Sequence, residues 1–253
     1  MRVFITGASS GIGAALAAHY AARGAQLGLV ARRAEVLAGI ARGLPGSPAL
    51  YTADVADAQA MQEAAQDFMA RFGVPDVVIA NAGVSVGTLT EHAEDIAVFG
   101  RVIQTNVVGL AATFHPFVAP MRAAGRGRLA GIASVAGMRG IPGAGAYSAS
   151  KAAAITYLEA LRVELRASGV KVVTVCPGYV ATPMTAVNKY RMPFILPADV
   201  AARRIARVID AGRGYAVVPW QMALVARAMK LLPNAAYDRL FKRAGRKPRG
   251  LKL

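Results

Sequence analysis

The chain alternates short apolar runs with longer stretches in which apolar residues recur every three or four positions. The runs Val3–Thr6, Leu27–Ala31, Ala49–Ala53, Asp76–Ala80, Arg128–Ala133, Lys171–Cys176 and Tyr215–Val218 are rich in Val, Ile, Leu and Ala. They alternate poorly between apolar and polar residues, as strands covered on both faces do. Helical periodicity predicts helices over about Gly11–Arg23, Ala34–Arg42, Ala58–Phe72, Ile96–Ala124, Tyr147–Ser168 and Pro197–Ala211, and a further one over Gln221–Leu232. Strand and helix in repeated succession build a parallel sheet with helices on both sides. No repeat, low-complexity linker or compositional break divides the chain. The expected fold is α/β: a doubly wound parallel sheet in one three-layer α/β/α domain. Residues 1–218 carry it, and 219–253 append an apolar helix and a basic tail. The stretch Gly178–Pro197 is too long for a mere connection, so a lid or binding loop is expected near 179–197.

Composition bounds the reading further. A chain of 253 residues, 55% hydrophobic and 17% charged, buries an ample core and is not a disordered polymer. No run reaches about 18 uninterrupted apolar residues, so no membrane-spanning helix is expected. Met1 is followed at once by a predicted strand and a glycine-rich segment, so no signal peptide is expected. The single Cys176 ends an apolar run; it reads as a buried core residue, and a reducing cytoplasm fits it. The arginine-over-lysine, alanine-rich usage suggests a GC-rich bacterial genome.

The formal charge of +16 changes the picture at the C-terminus, where Arg227–Leu253 holds nine Lys or Arg residues against one acid, Asp238. Few aromatics interleave with these charges, so no nucleic-acid stacking platform is expected. Trp220–Leu232 is apolar with Arg227 and Lys230 three apart, and Tyr237, Leu240 and Phe241 then stand among Arg239, Lys242 and Arg243. The helix is too short and too charged to span a bilayer. Two readings stay open: an interfacial surface for anionic lipid, or a packed helix followed by a solvated tail.

Candidate chemistry begins at Thr6-Gly7-Ala8-Ser9-Ser10-Gly11-Ile12-Gly13, between a predicted strand and a predicted helix. Glycines there permit a tight turn and let the backbone approach a pyrophosphate, which a helix N-terminus favours. The same letters match the G-x-S-x-G elbow of serine hydrolases. That reading needs a later acid and then a histidine, and the only histidines are His19, His92 and His115. The first lies too early, and the others read as surface or core residues. After the second strand comes Ala31-Arg32-Arg33, without the carboxylate that would bind an adenosine ribose. Two guanidiniums there suit the 2′-phosphate of NADP. Tyr147 and Lys151 stand four apart, on one face of a helix. At an effective dielectric of about 20, an ammonium roughly 4 Å from a phenol is worth about 4 kcal/mol, or about three pKa units. The expectation is a phenol lowered toward neutrality, ready to exchange protons.

With these motifs in order, the chain resembles the short-chain dehydrogenase/reductase family in its form of about 250 residues, to about Val218. Besides Thr6–Gly13, Asp54-Val55 resembles the pair that holds the adenine ring. Asn81-Ala82-Gly83 resembles an element beside the nicotinamide ribose; the family's usual preceding Asn is here Ala80. The resemblance implies a catalytic tetrad of Asn106, Ser134, Tyr147 and Lys151, and Pro177-Gly178 with Val180 and Thr182 as the nicotinamide cradle. It implies hydride transfer between NADP(H) and a carbonyl or alcohol. Tyr147 would be the acid/base, Ser134 would hold the substrate oxygen, Lys151 the ribose, and Asn106 a relay water. It implies no metal, and a homodimer or homotetramer paired through the helices near Ile96–Ala124 and Tyr147–Ser168. Substrate identity would lie in Ser85–Glu94, Met138–Ala146 and Tyr179–Pro197, the last apolar enough for a hydrophobic carbonyl. Two rival classes are a catalytically silent NADP-binding sensor and a peripheral membrane module. An intact tetrad argues against the first, and only the basic C-terminus favours the second.

Overall fold

The computed structural model describes residues 1–242 and 244–250; Arg243 and Leu251–Leu253, part of the expected basic tail, lie outside the described residues. In chain order the elements are β1 (Arg2–Thr6), α1 (Gly11–Ala21), β2 (Gln26–Ala31), α2 (Ala34–Arg42), β3 (Ala49–Thr52), α3 (Ala58–Phe72), β4 (Val77–Ala80), α4 (Glu94–Ile103) and α5 (Gly109–Ala123). There follow β5 (Gly127–Ile132), α6 (Gly145–Glu164), β6 (Val170–Pro177), β7 (Val180–Ala181), α7 (Pro183–Ala186), β8 (Leu196–Pro197), α8 (Ala198–Asp210), β9 (Tyr215–Val218), α9 (Trp220–Leu231) and α10 (Asn234–Phe241). Seven strands form one parallel sheet in the order β3-β2-β1-β4-β5-β6-β9. The chain winds outward from β1 in one direction and then from β4 in the other. The crevice between β1 and β4 is where ligands bind in such sheets.

The apolar strands divide their side chains between two layers. Val3, Ile5 and Leu29 face a core with Leu16 and Tyr20 of α1 and Ile205 and Ile209 of α8. Phe4, Val30 and Val78 face the opposite core, with Phe68 of α3, Phe114 and Phe117 of α5 and Leu158 of α6. Both faces being covered, alternation disappears from the sequence while the side chains still alternate in space. Arg23 and the Tyr20 hydroxyl both bond Asp210, tying α1 to α8 at 2.6 and 3.2 Å.

Three expectations change here. The single helix over Ile96–Ala124 is α4 and α5 joined by a π-helical turn, Gln104–Val108. An 18-residue stretch within Glu94–Ala123 is also long and apolar enough to cross a membrane, with a mean hydropathy of 1.3. Counting uninterrupted apolar residues missed it, because Gln104, Asn106 and His115 break the run. In this fold it lies against the sheet and buries Val102, Phe114, Phe117 and Met121. The third change is at the C-terminus. The described tail is not a solvated extension but lies across the loops at the C-terminal end of the sheet.

Candidate active site

The C-terminal ends of β1, β2, β4, β5 and β6 open on one cleft of about 260 Å³. The loop after β1 turns at Gly7, with φ +67°, and at Gly11, with φ +55°, where a side chain is disfavoured. A Cβ on Gly7 would also stand 2.7 Å from the Ala82 Cα, so the turn packs directly on the segment after β4. Asn81 ties the two together: its Nδ2 donates to the carbonyls of Thr6 and Gly7, at 3.0 and 3.2 Å. Ser9, Ser10, Gly11 and Ile12 line the cleft with Gly7. Gly13 does not; it lies behind the turn, where any Cβ would overlap the Gly7 carbonyl and the Asn81 amide. Its task is helix-to-turn packing. Across the cleft, Pro177, Gly178, Val180 and Thr182 form the opposing wall. A Cβ on Gly11 would touch the Thr182 methyl at 3.0 Å, which measures how closely the walls approach.

Both arginines after β2 are in the cleft. Arg33 is the N-cap of α2 but makes no side-chain cap. Its guanidinium donates instead to the Ser9 hydroxyl at 3.0 Å. Arg32 pairs with Asp54 at 3.5 Å, and the other Asp54 oxygen accepts from the Ala56 N–H at 3.0 Å. A positive residue at a helix N-terminus is mildly unfavourable, so its placement asks for an anion. Val55 and Ala82 complete this side with Gly83.

Ser134, Tyr147 and Lys151 face the same cleft. Ser134 caps a short 3-10 turn, its Oγ accepting from the Ala136 N–H at 3.1 Å. Tyr147 and Lys151 occupy the first turns of α6, and the Lys151 Nζ sits 5.8 Å from the tyrosine ring centroid. That ammonium donates to the Ile132 carbonyl at 2.8 Å. The expected lowering of the phenol is overturned: burial raises Tyr147, and contact with the Ser134 hydroxyl only partly opposes it. Burial likewise brings Lys151 down to about 8. Loss of hydration outweighs a neighbour whose charge is turned toward a backbone carbonyl. The proton is therefore held on the phenol at neutral pH, and Tyr147 stands as a donor.

Asn106 does not line the cleft. It sits in the π-helical turn, 1% exposed, behind Gly83. Its Oδ1 accepts from the Val84 N–H at 2.8 Å, and its Nδ2 donates to the Val84 carbonyl and the Ser150 hydroxyl, both at 2.9 Å. Both amide hydrogens are used, leaving one acceptor lone pair. A Cβ on Gly83 would lie 3.1 Å from the Asn106 Oδ1 and 3.5 Å from the Lys151 Nζ, so glycine there lets the two approach.

Thr105, which escaped the sequence reading, lines the cleft, and so do Met184 and Thr185 of the expected substrate segment Tyr179–Pro197. Arg139, five residues past Ser134, donates to the Met229 and Leu232 carbonyls that end α9, and its guanidinium lies 3.8 Å over the Tyr237 ring. Residues 244–250 form a strap across the three loops expected to govern substrate identity. Gly245 packs on Tyr190, and the Arg246 side chain packs on Gly143. The Gly87 N–H donates to the Pro248 carbonyl at 2.9 Å. Lys247 donates to the Met184 carbonyl at 2.9 Å. Arg249 closes the strap on Asp95 at 2.7 Å and Glu94 at 2.8 Å. Cys176 is fully buried with its thiol pushed up by burial, as a core residue should be. No group of three metal-ligating side chains occurs among the described residues.

The profile of the family described as short chain dehydrogenase matches residues 1–192. An uncharacterized oxidoreductase of Myxococcus xanthus is 39% identical over 239 residues, 92% of this chain and 93% of that one. Cis-4-hydroxycyclohexanecarboxylate dehydrogenase of Sinomonas cyclohexanicum is 37% identical over 206 residues, 80% of this chain and 79% of that one. The crystal structure of a short-chain type dehydrogenase/reductase from Mycobacterium marinum has a TM-score of 0.78 at 25% identity, covering 86% of this chain and 93% of that one. The chain belongs to the short-chain dehydrogenase/reductase family, whose members are nicotinamide-dependent oxidoreductases of alcohols and carbonyls.

Proposed function

We propose that this enzyme transfers hydride between NADP(H) and a carbonyl or secondary alcohol, with Tyr147 as the proton-exchanging residue. One observation carries the reading: a protonated phenol opens on the same cleft as the glycine turn and two arginines after β2. The cofactor fits the donor set. Gly7 and Gly11 make a turn that no Cβ would leave open, the N-terminus of α1 adjoins it, and Arg32 and Arg33, which line the same cleft, would hold a 2′-phosphate. When bound, the nicotinamide supplies or accepts the hydride. Lys151 would hold the ribose, and Pro177, Gly178, Val180 and Thr182 the nicotinamide end. Tyr147 donates a proton to the substrate oxygen in reduction and removes it in oxidation. Ser134 stabilises charge on that oxygen. Asn106, whose Oδ1 keeps one lone pair free, would position a water linking Lys151 to solvent. The name of the Sinomonas relative gives it a ring-borne hydroxyl as substrate. A cyclic secondary alcohol or ketone is the class proposed here.

Replacing Arg32 and Arg33 by alanine should weaken NADPH binding about tenfold or more and leave NADH nearly unchanged, since each charge-assisted contact is worth about 1.5–3 kcal/mol. Fluorescence titration of both cofactors tests it. Native binding of NADH as tight as that of NADPH would refute the NADP assignment.

Two exposed apolar faces support the partners proposed. Ile96 and Phe99 of α4, Val108 beyond it and Val163 of α6 are exposed, and we assign them to a homodimer or homotetramer interface. Trp220, Leu224 and Leu231 form one exposed stripe of α9, with Leu240 exposed on α10. Arg227 and Lys230 accompany them, which favours transient docking of a cytoplasmic enzyme on anionic lipid. Light scattering should give a dimer or tetramer in buffer, and sedimentation with phosphatidylserine vesicles should be salt-sensitive and lost in Trp220→Ser/Leu231→Ser. A monomer at micromolar concentration refutes the first assignment, and equal binding to neutral vesicles refutes the second.

A further inference from the structure

Two lysines are buried among the described residues, Lys151 and Lys247. The first belongs to the chemistry. The second sits in the strap, 9% exposed, and its ammonium has one partner, the Met184 carbonyl at 2.9 Å. No carboxylate lies within ion-pair distance of it among the described residues, whereas Arg249, two positions on, is paired with both Asp95 and Glu94. A buried ammonium is strongly unfavourable unless an anion or several acceptors receive it. It carries three donors, and here one is used. Met184 lines the same cleft as Tyr147, so the strap that crosses the three loops bonds this ammonium to the backbone of a cleft-wall residue.

We infer that Lys247 receives an anionic group, a carboxylate, carried by the substrate away from its reacting carbon, and that the strap fixed by Arg249 closes the substrate end of the cleft. The inference rests on the proposed hydride-transfer reading. It adds a charge requirement to the substrate that the apolar lid does not suggest. A buried carboxylate–ammonium contact would satisfy both the substrate's charge and the lysine's open donors. The lysine, brought down to about 8 by burial, remains mostly charged at neutral pH. Arg246, packed on Gly143, and Arg249, paired with acids, are the nearest basic residues of the strap, and neither is buried in this way.

The test uses the full chain with Lys247→Gln, which keeps a donor for Met184 and removes the charge, and with Lys247→Arg. The substrates are 4-oxocyclohexanecarboxylate and its neutral carboxamide, each with NADPH. The glutamine variant should lose about 10- to 100-fold in kcat/KM on the carboxylate, the loss of a hydrogen bond to a charged group. It should stay within about threefold of native on the carboxamide, with Lys247→Arg recovering most of the loss and NADPH affinity unchanged. An equal loss on both substrates, an unchanged ratio, or a fall in NADPH affinity would overturn the inference; the last would assign the lysine to a cofactor phosphate. Calorimetric binding of cyclohexanecarboxylate, which cannot react, separates this from the reaction itself. If native protein binds it and the glutamine variant does not, the anion site stands even where no oxo acid is turned over. If native protein does not bind it, the inference fails whatever the turnover shows.

Discussion

Tyr147→Phe should lower kcat by about 10²- to 10⁴-fold, the usual contribution of a positioned general acid or base, while NADPH affinity stays within about twofold. The reason is local. The ring remains on the first turn of α6, Lys151 still has its Ile132 carbonyl, and only the donated proton is removed. Steady-state turnover on 4-oxocyclohexanecarboxylate and related cyclic ketones, paired with a cofactor titration, distinguishes this from a packing defect. Native-like turnover by the phenylalanine variant would mean that the proton comes from elsewhere and that the assignment of Tyr147 is wrong.

Lys151→Met should have a comparably large effect on turnover, with cofactor affinity falling as well, because the same ammonium is assigned to the ribose and to the relay. It also makes a prediction about stability that Tyr147→Phe does not. In the folded protein Lys151 titrates at about 8, lowered by burial from an ordinary value of 10.5. Below about pH 8 the lysine is charged in both states, and its burial disfavours the fold by about 3 kcal/mol, taking 1.36 kcal/mol per pKa unit. As pH rises from about 8 to about 10.5, the unfolded chain holds more protons than the native one, so native stability gains. Above that range the penalty is gone. Chemical denaturation of native and methionine proteins across this window should show the native protein gaining on the variant by a few kcal/mol. A constant difference from pH 7 to pH 10.5 would mean that Lys151 is not held in the neutralising surroundings described here.

The sheet was legible because its strands are apolar on both sides and the helices between them are long and periodic. The glycine-turn side of the cleft was legible for a related reason. Gly7, Gly11, Arg32 and Asn81 act through backbone turns and strand ends, so spacing along the chain places them. Other features depend on what surrounds a residue, which spacing does not report. Tyr147 and Lys151 are neighbours on a helix face, as their four-residue interval implies, but burial reverses the expected direction of the phenol's shift. Asn106 lies in a π-helical turn for which Gln104-Thr105-Asn106-Val107-Val108 gives no signal. Lys247 reads as one charge in a basic tail until the chain folds back and covers it. The only sequence hint is the pair of glycines nearby, Gly87 and Gly143, which leave room for the strap.

The burial of Cys176 has a practical consequence at the opposite end of the molecule. The cleft opens at the C-terminal ends of the strands, and the turn before β6 lies at the other end. Ala167 is exposed on that turn, and Cys176, the sole native cysteine, is fully buried. An Ala167→Cys protein would therefore carry a single accessible thiol, far from the catalytic groups and the strap. Coupled through it to a bead or an electrode, the enzyme would be held in one orientation with its cleft toward solution, and no native thiol would need to be removed first.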